Sequence, residues 1–500
     1  MKQIKKQAGR SLAKNKRKEQ NNISQDKSKG KGKKKLQIKS QTSSVIVNAS
    51  HDIVWDTIIV GAGASGMAAA LVCGKQGQKV LLLERQGQMG RKILVTGNGK
   101  CNLTNFTQGD EYYQSECPEK VKRILSVFGQ KEAMELFQSL GIYTKNKNGY
   151  VYPYSEQAAS VREAFEEEII SDPNITFVPF SEVCDIEKKS EVFSVKVRES
   201  RENSEVDIKT NCEGIYRCRS ILVTTGGLAG PKFGCDGSGY PFAKKFGHKI
   251  IKPLPALTAL KSSAPFLKKV SGVRNQAAIV LEIDGTQVRR ETGELQWTDY
   301  GISGVAIFQL SRFAITALEE KKKVSLYFDF MPELSLEEKH RLFLMLANNN
   351  KDKTVLSFAK GLFPAKLCPV ILREARIDEK VTVGSLKEQE WDAFITAVSH
   401  FPLRIDGYAG YEKAQVTRGG VSLEQLTDSM ESVFKQGLFF AGEVTDVDGS
   451  CGGYNLQWAF SSGTVAGRAI VRRNQRIAKS GYGMTEEKKS QSVSERNQNK

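Results

Sequence analysis

Five hundred residues exceed what one small core needs, so two or three structural units are expected. Hydrophobic residues at 40% and charged residues at 26% are ordinary for a globular chain, and no apolar run reaches the length of a membrane span. The net charge of +18 sits in the tails: residues 1–40 hold 15 Lys/Arg against two acids, residues 471–500 hold eight against three, and the stretch between is close to neutral. A basic folded body is thereby excluded. Nine scattered cysteines without a C-x-x-C imply reduced thiols, and exclude a redox-disulfide flavoenzyme and a structural zinc site. The basic N-terminus lacks the apolar core of a secretory signal, so a cytoplasmic location is expected.

Residues 1–50 are Lys-, Gln- and Asn-rich and read as a disordered basic tail. The apolar run Thr57–Val60 then feeds into Gly61-Ala62-Gly63-Ala64-Ser65-Gly66, a helical pattern, a second apolar run Val80–Leu83, and Glu84, 23 residues after Gly61. Gly61 permits the tight turn, Gly63 lets backbone approach a pyrophosphate, and Gly66 lets helix and strand pack closely. The pyrophosphate would meet the N–H groups at the helix start, and Glu84, with Arg85 beside it, would meet an adenosine ribose. Gln86 to Asn105 is long for a plain loop and suits a ligand cover. Helical patterns follow from Pro118 to Gly141 and around Val161, Phe165 and Ile169, then strand-like alternation over 175–223 ends in Thr225-Gly226.

From 251 the texture changes to alternating stretches, Ala277–Ile283 and Val324–Phe330, which predict an antiparallel β unit. Inside it, about 333–400, lies a helical block with capping boxes expected at Ser335/Glu338 and Ser385/Glu388. From 403 to 472 the opening style returns: an apolar strand ending in Gly442-Glu443, then a glycine-rich turn and a helix. The domains are thus expected at 51–250, 251–402 and 403–472, with a polar tail over 473–500.

Five ordered blocks carry a family resemblance: GAGASG at 61–66, GRKILVTGNGKCNLTN at 90–105, TTGG at 224–227 with GSGY at 237–240, VTRGGV at 416–421, and FFAGEVTDVDGSCGGYNLQWAFSSGTVAG at 439–467. The chain resembles the bacterial FAD-dependent oxidoreductases of the BaiN/YhiN type. The resemblance implies an α/β fold: a discontinuous Rossmann-like FAD-binding domain, an inserted β-barrel-like domain and a small helical subdomain. By position it implies that Gly61, Gly63, Ala64, Ser65 and Gly66 hold the FAD pyrophosphate. Lys92, Thr96, Gly97, Gly99, Cys101 and Asn102 would lie beside the flavin and pyrophosphate, Val183 near adenine, and Thr225 and Gly226 over the adenosine side. Glu443 and Asp446 would be acids near the ribityl chain. Gly453, Tyr454, Asn455, Leu456 and Gln457 would present N–H groups at a helix start next to the flavin.

Cys101 and Cys451 read better as small residues in tight loops than as redox thiols, and His248 as structural. Tyr300 and Tyr454 carry hydroxyls capable of acid catalysis, and Arg418 could either face the site or brace a turn. No second GxGxxG-plus-acid unit follows residue 105, so NAD(P)H is expected to visit as a transient reductant. The resemblance implies a reductase of activated C=C bonds, such as the Δ4 and Δ6 bonds of 3-oxo bile acid CoA thioesters. A flavin oxidase of a small amine or aminoketone is the alternative, as is a flavoprotein that reaches RNA through its basic tail.

Overall fold

The computed structural model describes residues 53–200 and 214–497, with side chains through 479. The tail expected at 1–50 and Cys212 lie outside them. The opening unit forms as its pattern requires. Val54–Val60 (β1) ends in four buried residues, Ala64–Gly74 (α1) follows the glycine turn, and Val80–Leu83 (β2) is buried throughout. β1 and β2 pair in parallel, and Ile175–Val178 (β3) adds on the far side of β2. Strands buried on both faces read as continuous apolar runs, which is why neither β1 nor β2 alternates.

Gly214–Val223 (β4) ties the rest of this seven-stranded sheet together. One edge pairs in parallel with β1 along most of its length. The other edge is shared: Gly214–Cys218 runs antiparallel to Val192–Glu199, and Ile221–Val223 runs parallel to Leu438–Phe440 (β5). The chain therefore leaves this sheet and returns more than 200 residues later to complete it, so the domain built on this sheet is discontinuous.

After β5 the 44-residue helix Tyr454–Asn497 (α2) packs on α1. Close approach depends on Gly463 and Gly467, four residues apart on one face. A Cβ at Gly463 would lie 2.3 Å from the Ser65 carbonyl oxygen, and one at Gly467 3.1 Å from that of Ala69. The helix runs past the boundary expected at 472. Asn474 is buried, accepting from Ser220 Oγ at 2.9 Å and donating to the Asp56 carbonyl at 3.0 Å and to Gln78 at 3.0 Å.

The inserted domain is a second seven-stranded sheet, all antiparallel, in the spatial order Phe401–Ile405, Val324–Asp329, Arg274–Ile283, Thr286–Thr298, Gly301–Ser303, Leu260–Lys261, Gly407–Tyr408. Its two outermost strands are separated by Asp406 alone. Adjacent residues cannot sit on opposite edges of a flat sheet, so this one curls into a barrel-like form. The expected boundary at 402 therefore falls too early, since residues 401–408 still belong to the insertion. Four helices, Leu336–Asn348, Val355–Ala359, Cys368–Glu374 and Glu388–Ser399, pack against this sheet around Phe343, Phe394 and Ile371. The capping box at Ser335/Glu338 is formed. The one at Ser385/Glu388 is not: Ser385 donates to the Thr382 carbonyl in a 3-10 turn, Leu386 is extended, and Glu390 instead accepts from the Lys387 N–H that opens the helix.

Candidate functional site

A cleft of about 700 Å³ runs along the carboxyl ends of β1, β2 and β4 and reaches the inserted domain at Leu257 and Val305. Ligands of open parallel sheets bind at such strand ends. At its centre, Gly61 turns at φ +101°, a region that disfavours other residues, and a Cβ there would strike the Thr224 carbonyl oxygen at 2.7 Å. Thr224 Oγ1 donates to the Gly61 carbonyl at 2.7 Å, fixing the turn. Gly66 faces away from the cleft; its Cβ would lie 2.0 Å from the Gly61 oxygen. Gly63 faces open space, with nothing within 4 Å of a Cβ, and no side chain caps α1. The first N–H groups and positive dipole end of α1 thus meet an uncovered cleft wall, which suits a pyrophosphate.

Glu84 stands at the end of β2, held by N–H donation from Ala62 at 2.8 Å and Gln86 at 2.9 Å. Burial pushes its carboxyl above the ordinary range, against the pull of those two bonds. Its remaining lone pairs can accept from ribose hydroxyls. Arg85 lines the same region, but its guanidinium binds Asp236 and the Gly234 carbonyl, so it braces the loop after β4. Val183, Thr225 and Gly226 also line the cleft, as do Ala64 and Ser65 of the glycine turn.

From the loop after β2 come Lys92, Thr96, Gly97 and Asn102. Lys92 forms an ion pair with Glu443, which follows β5, at 2.5 Å. Burial opposes the Lys92 charge, but Glu443 outweighs it, and the lysine pKa is raised. The other Glu443 oxygen accepts from the Thr417 N–H at 2.9 Å. Gly453, Asn455 and Leu456 line the cleft at the start of α2, and Asn455 closes the preceding turn by bonding both backbone groups of Gly449 at 2.8 Å.

Six expected residues do not line the cleft. Gly66 serves the turn from behind, and Gly99 and Cys101 (φ +82° and +58°) shape the loop. Asp446 is buried and turned to the other side, where it accepts from the Glu116 N–H at 2.9 Å; burial raises its pKa to about 6. Tyr454 stacks on Tyr112, with centroids 4.6 Å apart, and donates to the Thr107 carbonyl. Gln457 is buried against Thr104 and Ser461. Burial pushes the Cys101 and Cys451 thiols up to about 12, leaving them unreactive. His248 is buried between Phe434 and Phe440 with Ser432 on Nε2, away from the cleft, and Arg418 braces Thr316. Tyr300 pairs with Lys413 outside the cleft lining.

Sequence reasoning passed over Tyr150 and Tyr152, which line the cleft, and Glu412, Ala414 and Gln415, which do so as well. The strand alternation of Tyr150, Tyr152 and Tyr154 was a legible signal for the first two; nothing in the local sequence marked the other three.

The uncovered glycine turn, Glu84 and the second helix start share one cleft at the strand ends of a Rossmann-type sheet, an arrangement that fits a dinucleotide. The chain belongs to the HI0933-like family, whose Rossmann-domain model matches residues 55–469. It is 36% identical over 422 residues to the 3-dehydro-bile acid delta(4,6)-reductase of Clostridium scindens, covering 83% of this chain and 98% of that one. Two ribosomal RNA dihydrouridine synthases are each 29% identical. That of Haemophilus influenzae covers 84% of this chain and 99% of its own, and that of Escherichia coli 83% and 98%. Among the described residues, no helix is long and apolar enough to cross a membrane, and no cluster of His, Cys, Asp or Glu could hold a metal.

Proposed function

We propose that this protein reduces carbon–carbon double bonds conjugated to a carbonyl, with NAD(P)H as a visiting reductant. The observation that carries the reading is the composite cleft: a dinucleotide cradle on one domain continues to the apolar side chains Leu257, Val305 and Val416 near the other. Bound FAD supplies hydride transfer between a nicotinamide and an electron-poor carbon. The chain's own residues bind and orient it. The turn at Gly61–Gly66 takes the pyrophosphate, Glu84 the ribose, and the Lys92–Glu443 pair fixes the central wall. The start of α2 directs its positive dipole end at negative charge, and the apolar wall excludes water from the reacting carbon.

Likeness to the Clostridium scindens enzyme supports a steroid enone of the 3-oxo-Δ4,6 bile acid type as substrate. A second reading shares the chemistry. The C5=C6 bond of uracil is conjugated to a ring carbonyl, and its reduction yields the base of dihydrouridine. Likeness to the two dihydrouridine synthases and an exposed tyrosine–lysine face beside the cleft favour it. Anaerobic stopped-flow tests the shared reading: NAD(P)H should bleach the bound flavin, and a conjugated enone or a uracil-containing RNA should restore its colour. Reduction by amines with stoichiometric peroxide would favour an amine oxidase instead.

A further inference from the structure

We propose that the hairpin 143–154 is a stacking platform for single-stranded RNA that leads a uracil base to the cleft; this rests on the reaction class above and names its substrate. The hairpin strands Thr144–Lys147 and Tyr150–Pro153 pair with Lys145 opposite Tyr152 and Lys147 opposite Tyr150. Side chains alternate along a strand, so Lys145 and Lys147 share a face with Tyr150, Tyr152 and Tyr154. Tyr143, two residues before Lys145, continues it. The opposite face carries the buried Ile142, Val151 and Pro153. The hairpin is anchored by its apolar side and shows its aromatic side outward.

Three features distinguish this face from ordinary surface. Tyr143 and Tyr154 are 76% and 63% exposed, with ring centroids 5.5 Å apart, so their rings contribute little to the core. The face also continues into the site, since Tyr150 and Tyr152 line the cleft, against Gly452 and Gly97. Lysines interleave the rings: Lys145 lies 5.2 Å from the Tyr154 centroid and Lys147 6.0 Å from that of Tyr152. Lys100 joins them, and all three converge on the single carboxylate of Glu156, leaving the cluster cationic.

A steroid needs a concave apolar wall around its whole body. An open face of alternating rings and ammonium groups suits planar bases joined by phosphates. The 15 Lys/Arg of residues 1–40, outside the family match, add attraction for the same polyanion. The reduction takes a hydride from the nicotinamide C4 of NAD(P)H and a proton from solvent: the nicotinamide C–H bond and the C5=C6 π bond break, two C–H bonds form, and NAD(P)⁺ leaves.

Fluorescence anisotropy on the full FAD-loaded chain tests the platform, with a short uridine-containing single-stranded RNA and its duplex as probes. The single strand should bind more tightly than the duplex. The Tyr143→Ala/Tyr154→Ala variant should lose about tenfold or more in affinity, and Tyr143→Phe/Tyr154→Phe should retain binding, because phenylalanine stacks as well. Flavin absorbance of each variant reports its fold. The proposal is overturned if the alanine pair binds like the parent, if the duplex binds equally well, or if deletion of residues 1–45 alone abolishes binding. A flavin that NAD(P)H cannot bleach, in a protein whose RNA binding still depends on these tyrosines, would overturn the reaction class and leave the platform standing.

Discussion

Lys92 and Glu443, 351 residues apart in sequence, close to 2.5 Å inside the cleft. The contact joins the loop after β2 to the end of β5, and so locks the two separated halves of the nucleotide-binding domain. With side chains 25% and 19% exposed, the pair is partly dry, and removing one partner strands the other. Lys92→Met should lower unfolding stability by about 1–3 kcal/mol, less than a fully buried pair would lose. Lys92→Met/Glu443→Gln should recover part of that loss in urea titrations. Equal stability of parent and single variant would show that the pair locks nothing.

Gly63 and Gly66 separate binding from folding. Gly63 has φ −76° and open space beyond it, so Gly63→Ala should leave apoprotein stability unchanged or raise it by about 0.4–1 kcal/mol. Its methyl would intrude where backbone approaches the pyrophosphate, and FAD affinity should fall about tenfold or more, a loss of at least about 1.4 kcal/mol. A Cβ at Gly66 would lie 2.0 Å from the Gly61 carbonyl oxygen, so Gly66→Ala must displace backbone and should lose both fold and flavin. Thermal melts of apoprotein and flavin titrations give the two readouts; unchanged FAD affinity in Gly63→Ala would remove the pyrophosphate assignment.

Asp446 gives a pH signature. Its folded pKa of about 6 lies above its ordinary value of 3.8, so the folded state holds a proton that the unfolded state releases. Stability therefore falls as pH rises through this window, and the cost is complete above pH 6. Asp446→Asn, which keeps an oxygen for the Glu116 N–H, should be more stable than the parent at pH 8 by about 1–3 kcal/mol. The gap should close as the pH falls toward 4. A gap independent of pH in paired urea titrations would contradict the assignment.

Much of the fold was legible because its signals are local. The apolar runs of β1 and β2, the glycine turn and the return at β5 each show in a few adjacent residues. The family resemblance added the order of the domains. Side-chain direction was harder to read. Glu443 and Asp446 are three residues apart, yet the 3-10 turn Gly442–Val444 sends one into the cleft and the other behind it. The helix start after Ser385 moved because a short turn consumed the serine that resembled a cap. The edge of the insertion near 408 depends on sheet closure, which pairs strands distant in sequence and leaves no local mark.

The most direct test of the account is an anaerobic half-reaction on the purified full chain. The protein should carry a flavin absorbance spectrum, lose it on addition of NAD(P)H, and regain it with a compound whose C=C bond is conjugated to a carbonyl, with product saturated at that bond. A flavin that NAD(P)H leaves oxidised, or that only oxygen can reoxidise, would contradict it.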